Sequence, residues 1–186
     1  MSRLTVSECS LKGLKLVTRS RHGDQRGFFS RIFCKEELSA VGWIEPIVQI
    51  NHSYTAKKGT VRGFHFQHPP YAEMKLVSCI RGEVWDVAID LRRGSKTFLK
   101  HHAETLSAEN GRALLIPEGF AHGFQALSDD VELLYCHSQP YTPDAEARLN
   151  PLDPTIAIEW PLAVAELSLR DAGQPMLNPD FKGVVL

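Results

Sequence analysis

The sequence predicts an all-β chain, a sandwich or barrel of many short strands, on three observations. Runs rich in Val, Ile, Leu, Phe and Tyr recur between turn residues from about Leu14 to His137. One of them, EVWDVAIDL, alternates cleanly, with Trp85, Val87, Ile89 and Leu91 on one face and Asp86 and Asp90 on the other. Helical patterning is scarce. A strand with one apolar and one polar face suits a sandwich or barrel rather than a buried parallel sheet.

The elements follow in order. LKLVTR opens the series, and the turn GDQRG leads into GFFSRIF. KEELSAVG, closed by a glycine, is the first short helix. IVQINHS comes next, KKG turns the chain into VRGFHFQ, and Pro69 and Pro70 separate that run from KLVSCI. RGE turns into EVWDVAIDL, which RRGS ends. SAENG precedes ALLIP and GFQAL, and LSDD precedes VELLYCH. Near the C-terminus ELSLRDAG is a second short helix that a serine can cap.

The 186 residues are at the upper end of one ordinary domain, and no repeat, low-complexity tract or linker interrupts them, so a single domain over 1–186 is expected. Apolar residues at 43% supply one core. With 21 basic against 22 acidic side chains the net charge is −1, so no global field draws the chain to nucleic acid or to an acidic membrane. Any anionic ligand must be met by local arginines and lysines. Cys9, Cys34, Cys79 and Cys136 form no CxxC pair and read as buried, reduced thiols. The first residues, MSRLTVSECSLKGLKLV, lack an apolar core followed by a small-residue cleavage site, and no run approaches the roughly eighteen apolar residues of a membrane span. A soluble, cytoplasmic protein is the expectation.

Polar residues gather in VRGFHFQHPP, MKLV and IPEGFAHGF. If VRGFHFQ is extended, Val61, Gly63, His65 and Gln67 share one face and Arg62, Phe64 and Phe66 the other. Gly63, two places from His65, leaves room for something to sit against the imidazole. Two chemistries stay open on these residues. A metal barrel would draw on His65, His68, Glu73 and His122, although the three-residue step from His65 to His68 puts them on opposite faces unless the chain turns at Gln67. Metal-free proton abstraction beside a carbonyl needs a base, a donor for the enolate oxygen and an acid on the far face, and His65, Lys75 and Tyr135 are those three types. Each also has a purely structural reading: a hydrogen-bonded strand histidine, an edge lysine, a core tyrosine. Composition and periodicity end at a β-barrel with a polar interior.

GDQRGFF, VQINHS, VRGFHFQ, MKLV, RGEVWDVAIDLRRGS, LSAENGR, LIPEGFAHGF, LLY and IEWP, in this order over residues 23 to 161, resemble the dTDP-4-dehydrorhamnose 3,5-epimerase family. The resemblance implies a cupin-like jelly-roll β-barrel with a few short helices that uses no metal or other cofactor, forms a homodimer and acts on a nucleotide-linked 4-keto-6-deoxysugar. It implies His65 as base, Asp171 as the carboxylate orienting it, Lys75 as the group holding the enolate, and Tyr135 as proton donor. Arg26 and Arg62 match arginines near the diphosphate and sugar, and Gln49, Asn51 and His122 match other site-lining positions. A carboxylate on one ring nitrogen fixes the tautomer and frees the other nitrogen as base.

Three departures from the family pattern stand out. An acidic residue expected shortly after RGFF, where it can accept from thymine N3, is replaced by Ser30 and Arg31. An arginine only donates, so Arg31 at that place favours a base with an acceptor, such as cytosine. A tyrosine expected to stack on the base is Pro140, with Tyr141 beside it. The family's AQGK reads AEMK, and Met74 in place of glycine is expected to restrict the sugar and favour one epimerisation over two. Two other classes fit the same residues: a metal-dependent cupin enzyme and a non-catalytic module that binds the sugar nucleotide.

Overall fold

The computed structural model describes residues 4–186. Thirteen strands occur among them: β1 (Leu4–Glu8), β2 (Lys15–Arg19), β3 (Arg21–Asp24), β4 (Gly27–Ser30), β5 (Gln49–Thr55), β6 (Val61–Gln67), β7 (Lys75–Arg81), β8 (Glu83–Asp90), β9 (His101–Ser107), β10 (Arg112–Ile116), β11 (Phe120–Ala126), β12 (Val131–His137) and β13 (Glu146–Arg148). Two short helices are present, α1 (Lys35–Ser39) and α2 (Leu169–Ala172). Both were expected. Gly42 follows α1 at φ +113, and Ser168 caps α2 by accepting from the Asp171 N–H.

The strands form a six-stranded sheet in the order β1-β2-β10-β7-β12-β5 and a five-stranded sheet in the order β13-β6-β11-β8-β9, with β3 and β4 as a separate hairpin. Every paired strand runs antiparallel to its neighbour. This is the expected all-β, cupin-like architecture. Strand β9 was not among the expected runs, because HHAETLS lacks an apolar alternation.

Three apolar clusters hold the layers. One lies between the sheets, where Val77, Leu114 and Leu133 of the larger sheet meet Val84, Ala88 and Phe124 of the smaller. A second covers the outer side of the larger sheet, with Leu38 and Trp43 on Val17, Leu76 and Cys136. The third lies outside the smaller sheet, where Leu149, Ile156, Trp160 and Val184 pack on Phe64, Val87, Ile89 and Leu91. The alternation of EVWDVAIDL is as read, yet its apolar face points out of the barrel, under the C-terminal segment. Its polar member Asp86 therefore points inward, which makes a polar interior compatible with a well-packed strand.

Candidate active site

Strand β6 carries His65, and its register explains how the side chains meet. His122 pairs with His65 and Phe124 with Arg62, so two steps on β11 span three on β6. The extra residue on β6 is a bulge, which resets the alternation. Arg62 and His65, expected on opposite faces, consequently both line the interior cavity. The room at Gly63 is used differently from the expectation too. Gly63 has φ +120, and a Cβ there would lie 2.5 Å from Gly123 Cα, so the glycine admits the neighbouring strand rather than a ligand.

The cavity has a volume of about 720 Å³ and lies between the two sheets. From the smaller sheet come Arg62, His65 and His122, and from the larger come Asn51, Ser53, Lys75, Tyr135 and His137. His65 Nε2 lies 2.8 Å from Asp171 Oδ1. Asp171 reaches it because the serine-capped turn of α2 closes over β6. Burial would raise the Asp171 carboxyl, but its hydrogen bonds from His65, Ser168 and the Gly63 main chain, with the charge of His65, hold it below the ordinary aspartate range. Arg148 Nη1 stands 3.9 Å from the same Oδ1. A carboxylate on Nε2 holds the ring proton there and leaves Nδ1 as the lone-pair nitrogen.

On the opposite wall, Tyr135 OH lies 3.2 Å from Ser53 Oγ. Burial pushes the Tyr135 hydroxyl well above its ordinary value, so the group is a phenol and not a phenolate at neutral pH. Its ring meets His122 edge-on with centroids 6.0 Å apart and stacks on His137 at 6.1 Å. His122 Nε2 is 2.8 Å from the buried Asp86 Oδ2. Lys75 Nζ lies 3.1 Å from Glu73 Oε1 and donates to the His65 carbonyl at 3.4 Å. Glu73 Oε2 is in turn 2.6 Å from His137 Nδ1. Burial would raise the Glu73 carboxyl, but the Lys75 ammonium and the His137 hydrogen bond outweigh it and keep it below the ordinary glutamate range. Arg62 is held by Thr55 Oγ1 and the Tyr54 carbonyl, at 2.9 and 3.1 Å.

Three expected substrate contacts stand off the cavity wall. Arg26 lies on the β3–β4 hairpin, 85% exposed, and pairs with Asp24 at 2.6 Å. Arg31 is engaged by Glu37, so within one chain its donors are turned to a carboxylate and not to a base. Gln49 bonds Asn51 at 3.0 Å and so touches the cavity through that residue. Met74, expected to narrow the sugar site, packs instead into the outer cluster with Leu76 and Cys136. Alternation explains this, since Glu73 and Lys75 face the cavity and the residue between them must face away. Tyr141 lines the mouth with its hydroxyl 3.0 Å from Glu146.

The four candidate metal ligands do not converge. His68 follows β6 as an exposed residue, while Glu73 and His122 are engaged as described. Among the described residues no group of three His, Cys, Asp or Glu side chains is arranged to hold a metal ion. His137, Ser53 and Arg148 were not singled out from the sequence. His137 had a usable signal, for it stands two places after Tyr135 on one strand and so shares its face.

A barrel of two antiparallel sheets, with a His–Asp pair on one wall and a buried lysine and a half-buried tyrosine on the other, is a cupin-like barrel equipped for acid–base chemistry. The chain belongs to the dTDP-4-dehydrorhamnose 3,5-epimerase family, whose sequence profile matches residues 8–179. The dTDP-4-dehydrorhamnose 3,5-epimerase of Salmonella typhimurium is 46% identical over 94% of this chain and 96% of its own. The enzyme of that name from Bacillus anthracis, solved with TDP and pyrophosphate, superposes with a TM-score of 0.90 at 38% identity, over 94% of this chain and 99% of that one. The dTDP-6-deoxy-D-glucose-3,5-epimerase of Legionella pneumophila, solved with dTDP-4-keto-L-rhamnose, gives 0.88 at 39% identity, over 93% and 92%.

Proposed function

We propose that this protein epimerises a dTDP-linked 4-keto-6-deoxyhexose at C3 and C5 through enolate intermediates, with no metal. The observation that carries the reading is the placement of a dyad-oriented histidine and a protonated tyrosine on opposite sheets of one cavity. Inversion at carbon needs a base on one face and an acid on the other. His65 Nδ1 removes the proton beside the C4 carbonyl. The electron pair moves onto the carbonyl oxygen, where Lys75 and Arg62 meet the developing charge. Tyr135 then returns a proton from the far side. A positioned base contributes roughly 10²- to 10⁴-fold and each oxyanion donor about 3 kcal/mol, so both must act on one bound sugar.

A homodimer and a cytoplasmic location belong to the same proposal. Strand β5 ends the larger sheet and leaves Ile50 and Tyr54 at least half exposed, which suits a paired edge. No helix among the described residues is long and apolar enough to cross a membrane.

The test is incubation in D2O with the 4-keto-6-deoxyglucose esters of dTDP and of CDP, with the C3 and C5 protons followed by NMR. Exchange at both carbons with the dTDP ester is expected, and His65→Ala should abolish it while the fold persists. Exchange at one carbon would make the protein a mono-epimerase, and faster exchange with CDP would restore the base preference first read from Arg31. Silence from folded wild-type protein with both esters would sink the reading.

A further inference from the structure

Behind the cavity wall and into it runs a hydrogen-bond chain whose direction is set from one end. The Tyr141 main-chain N–H, which only donates, gives its proton to Gln49 Oε1 at 2.9 Å. Gln49 must then present Nε2 to Asn51 Oδ1, at 3.0 Å. That orients the Asn51 amide so that Nδ2 donates to His137 Nε2 at 3.3 Å. With Nε2 accepting, His137 carries its proton on Nδ1, which faces Glu73 Oε2 at 2.6 Å. The second Glu73 oxygen takes Lys75 Nζ at 3.1 Å, and Lys75 also donates to the His65 carbonyl at 3.4 Å. Strand register makes the chain possible, since His137 lies directly between Gln49 on β5 and Lys75 on β7.

The geometry points to Glu73 and His137 as positioning residues for Lys75, joined through Asn51 and Gln49 to the Tyr141 main chain at the cavity mouth. This rests on the epimerase reading and adds to it two residues that touch no reacting atom. Two of the three lysine N–H groups are taken, by Glu73 and by the strand that carries His65, which leaves the third for the cavity. The ammonium is thereby tied to the base's own strand on one side and to a carboxylate on the other. In this chain the glutamine of the family's AQGK cannot replace Glu73, because His137 stands against the carboxylate as well as Lys75. A glutamine offers one acceptor where Lys75 and the His137 Nδ1–H each need one. If its oxygen serves His137, its NH2 opposes the ammonium. If it serves Lys75, His137 must take the other tautomer, Asn51 and Gln49 must turn over, and the chain ends with an NH2 against the Tyr141 N–H.

The experiment uses wild type and Glu73→Gln. Nitrogen-15 NMR of the His137 ring in wild type should show the proton on Nδ1 and an unprotonated Nε2. Steady-state kinetics with the dTDP ester should show kcat lowered about 10- to 10²-fold in Glu73→Gln with KM within about threefold, because an oxyanion donor acts in the transition state. Circular dichroism checks that the variant folds. Wild-type His137 protonated on Nε2 overturns the proposal whether or not the variant folds. So does a folded Glu73→Gln with the wild-type kcat, or one whose loss lies wholly in KM. A wild-type protein that exchanges neither sugar proton removes the epimerase reading and the positioning role with it, whereas an active wild type beside an unimpaired variant removes the positioning role alone.

Discussion

Asp171 decides which nitrogen of His65 keeps its lone pair. As a carboxylate it only accepts, so the ring proton stays on Nε2 and the lone pair on Nδ1. An amide at 171 can instead turn its NH2 toward Nε2 and favour the tautomer whose proton blocks the base. Asp171→Asn is therefore expected to lower kcat about 10²- to 10⁴-fold with little change in KM or in the circular dichroism spectrum, as measured by steady-state kinetics. At this scale His65, Lys75 and Tyr135 were legible as residue types fit for proton transfer, and Asp171 as one implied by family resemblance. The relation of Glu73 to His137 was not legible, because 64 residues separate them and only the pairing of β7 with β12 makes them neighbours.

Among elements, β8 shows how one strand serves both core and stability. Its apolar face packs under the C-terminal segment, and its last residue, Asp90, is a fully buried carboxylate that anchors the following turn. Asp90 accepts from Arg92 at 2.8 Å and from Ser95 and Thr97 at 2.6 Å each. Burial would raise its carboxyl, yet these donors outweigh it and hold it down at about 2. The folded value lies below the unfolded one of about 3.9, so the stabilisation is complete above about pH 4 and disappears as pH falls towards 2. It is worth about 2 kcal/mol. Thermal unfolding of wild type should show a fall in midpoint across that window, and Asp90→Asn should start from a lower midpoint at pH 6 and fall less steeply. The alternation of β8 was legible in EVWDVAIDL. The side on which water would be excluded was not, since that depends on where residues 149–184 lie. The bulge in β6 was equally hidden, because an extra residue leaves no mark in the apolar period.

For the whole molecule the open edge is the informative feature. Among the described residues strand β5 has a neighbour on one side only and presents Ile50 at 59% exposure, an arrangement that soluble proteins cover or blunt. Light scattering should give twice the chain mass, and Ile50→Lys should shift the protein toward monomer; a wild-type monomer at micromolar concentration would refute the dimer. What the sequence by itself determined is the all-β class, the two short helices and the set of side chains able to move a proton, because local alternation, capping and residue chemistry are carried within a few positions. Only the tertiary structure decided that Arg62 joins His65, that Met74 turns away, that Arg31 meets Glu37, and that Glu73 and His137 stand beside Lys75. Each of these depends on strand register and on contacts between distant segments, which a local pattern does not encode.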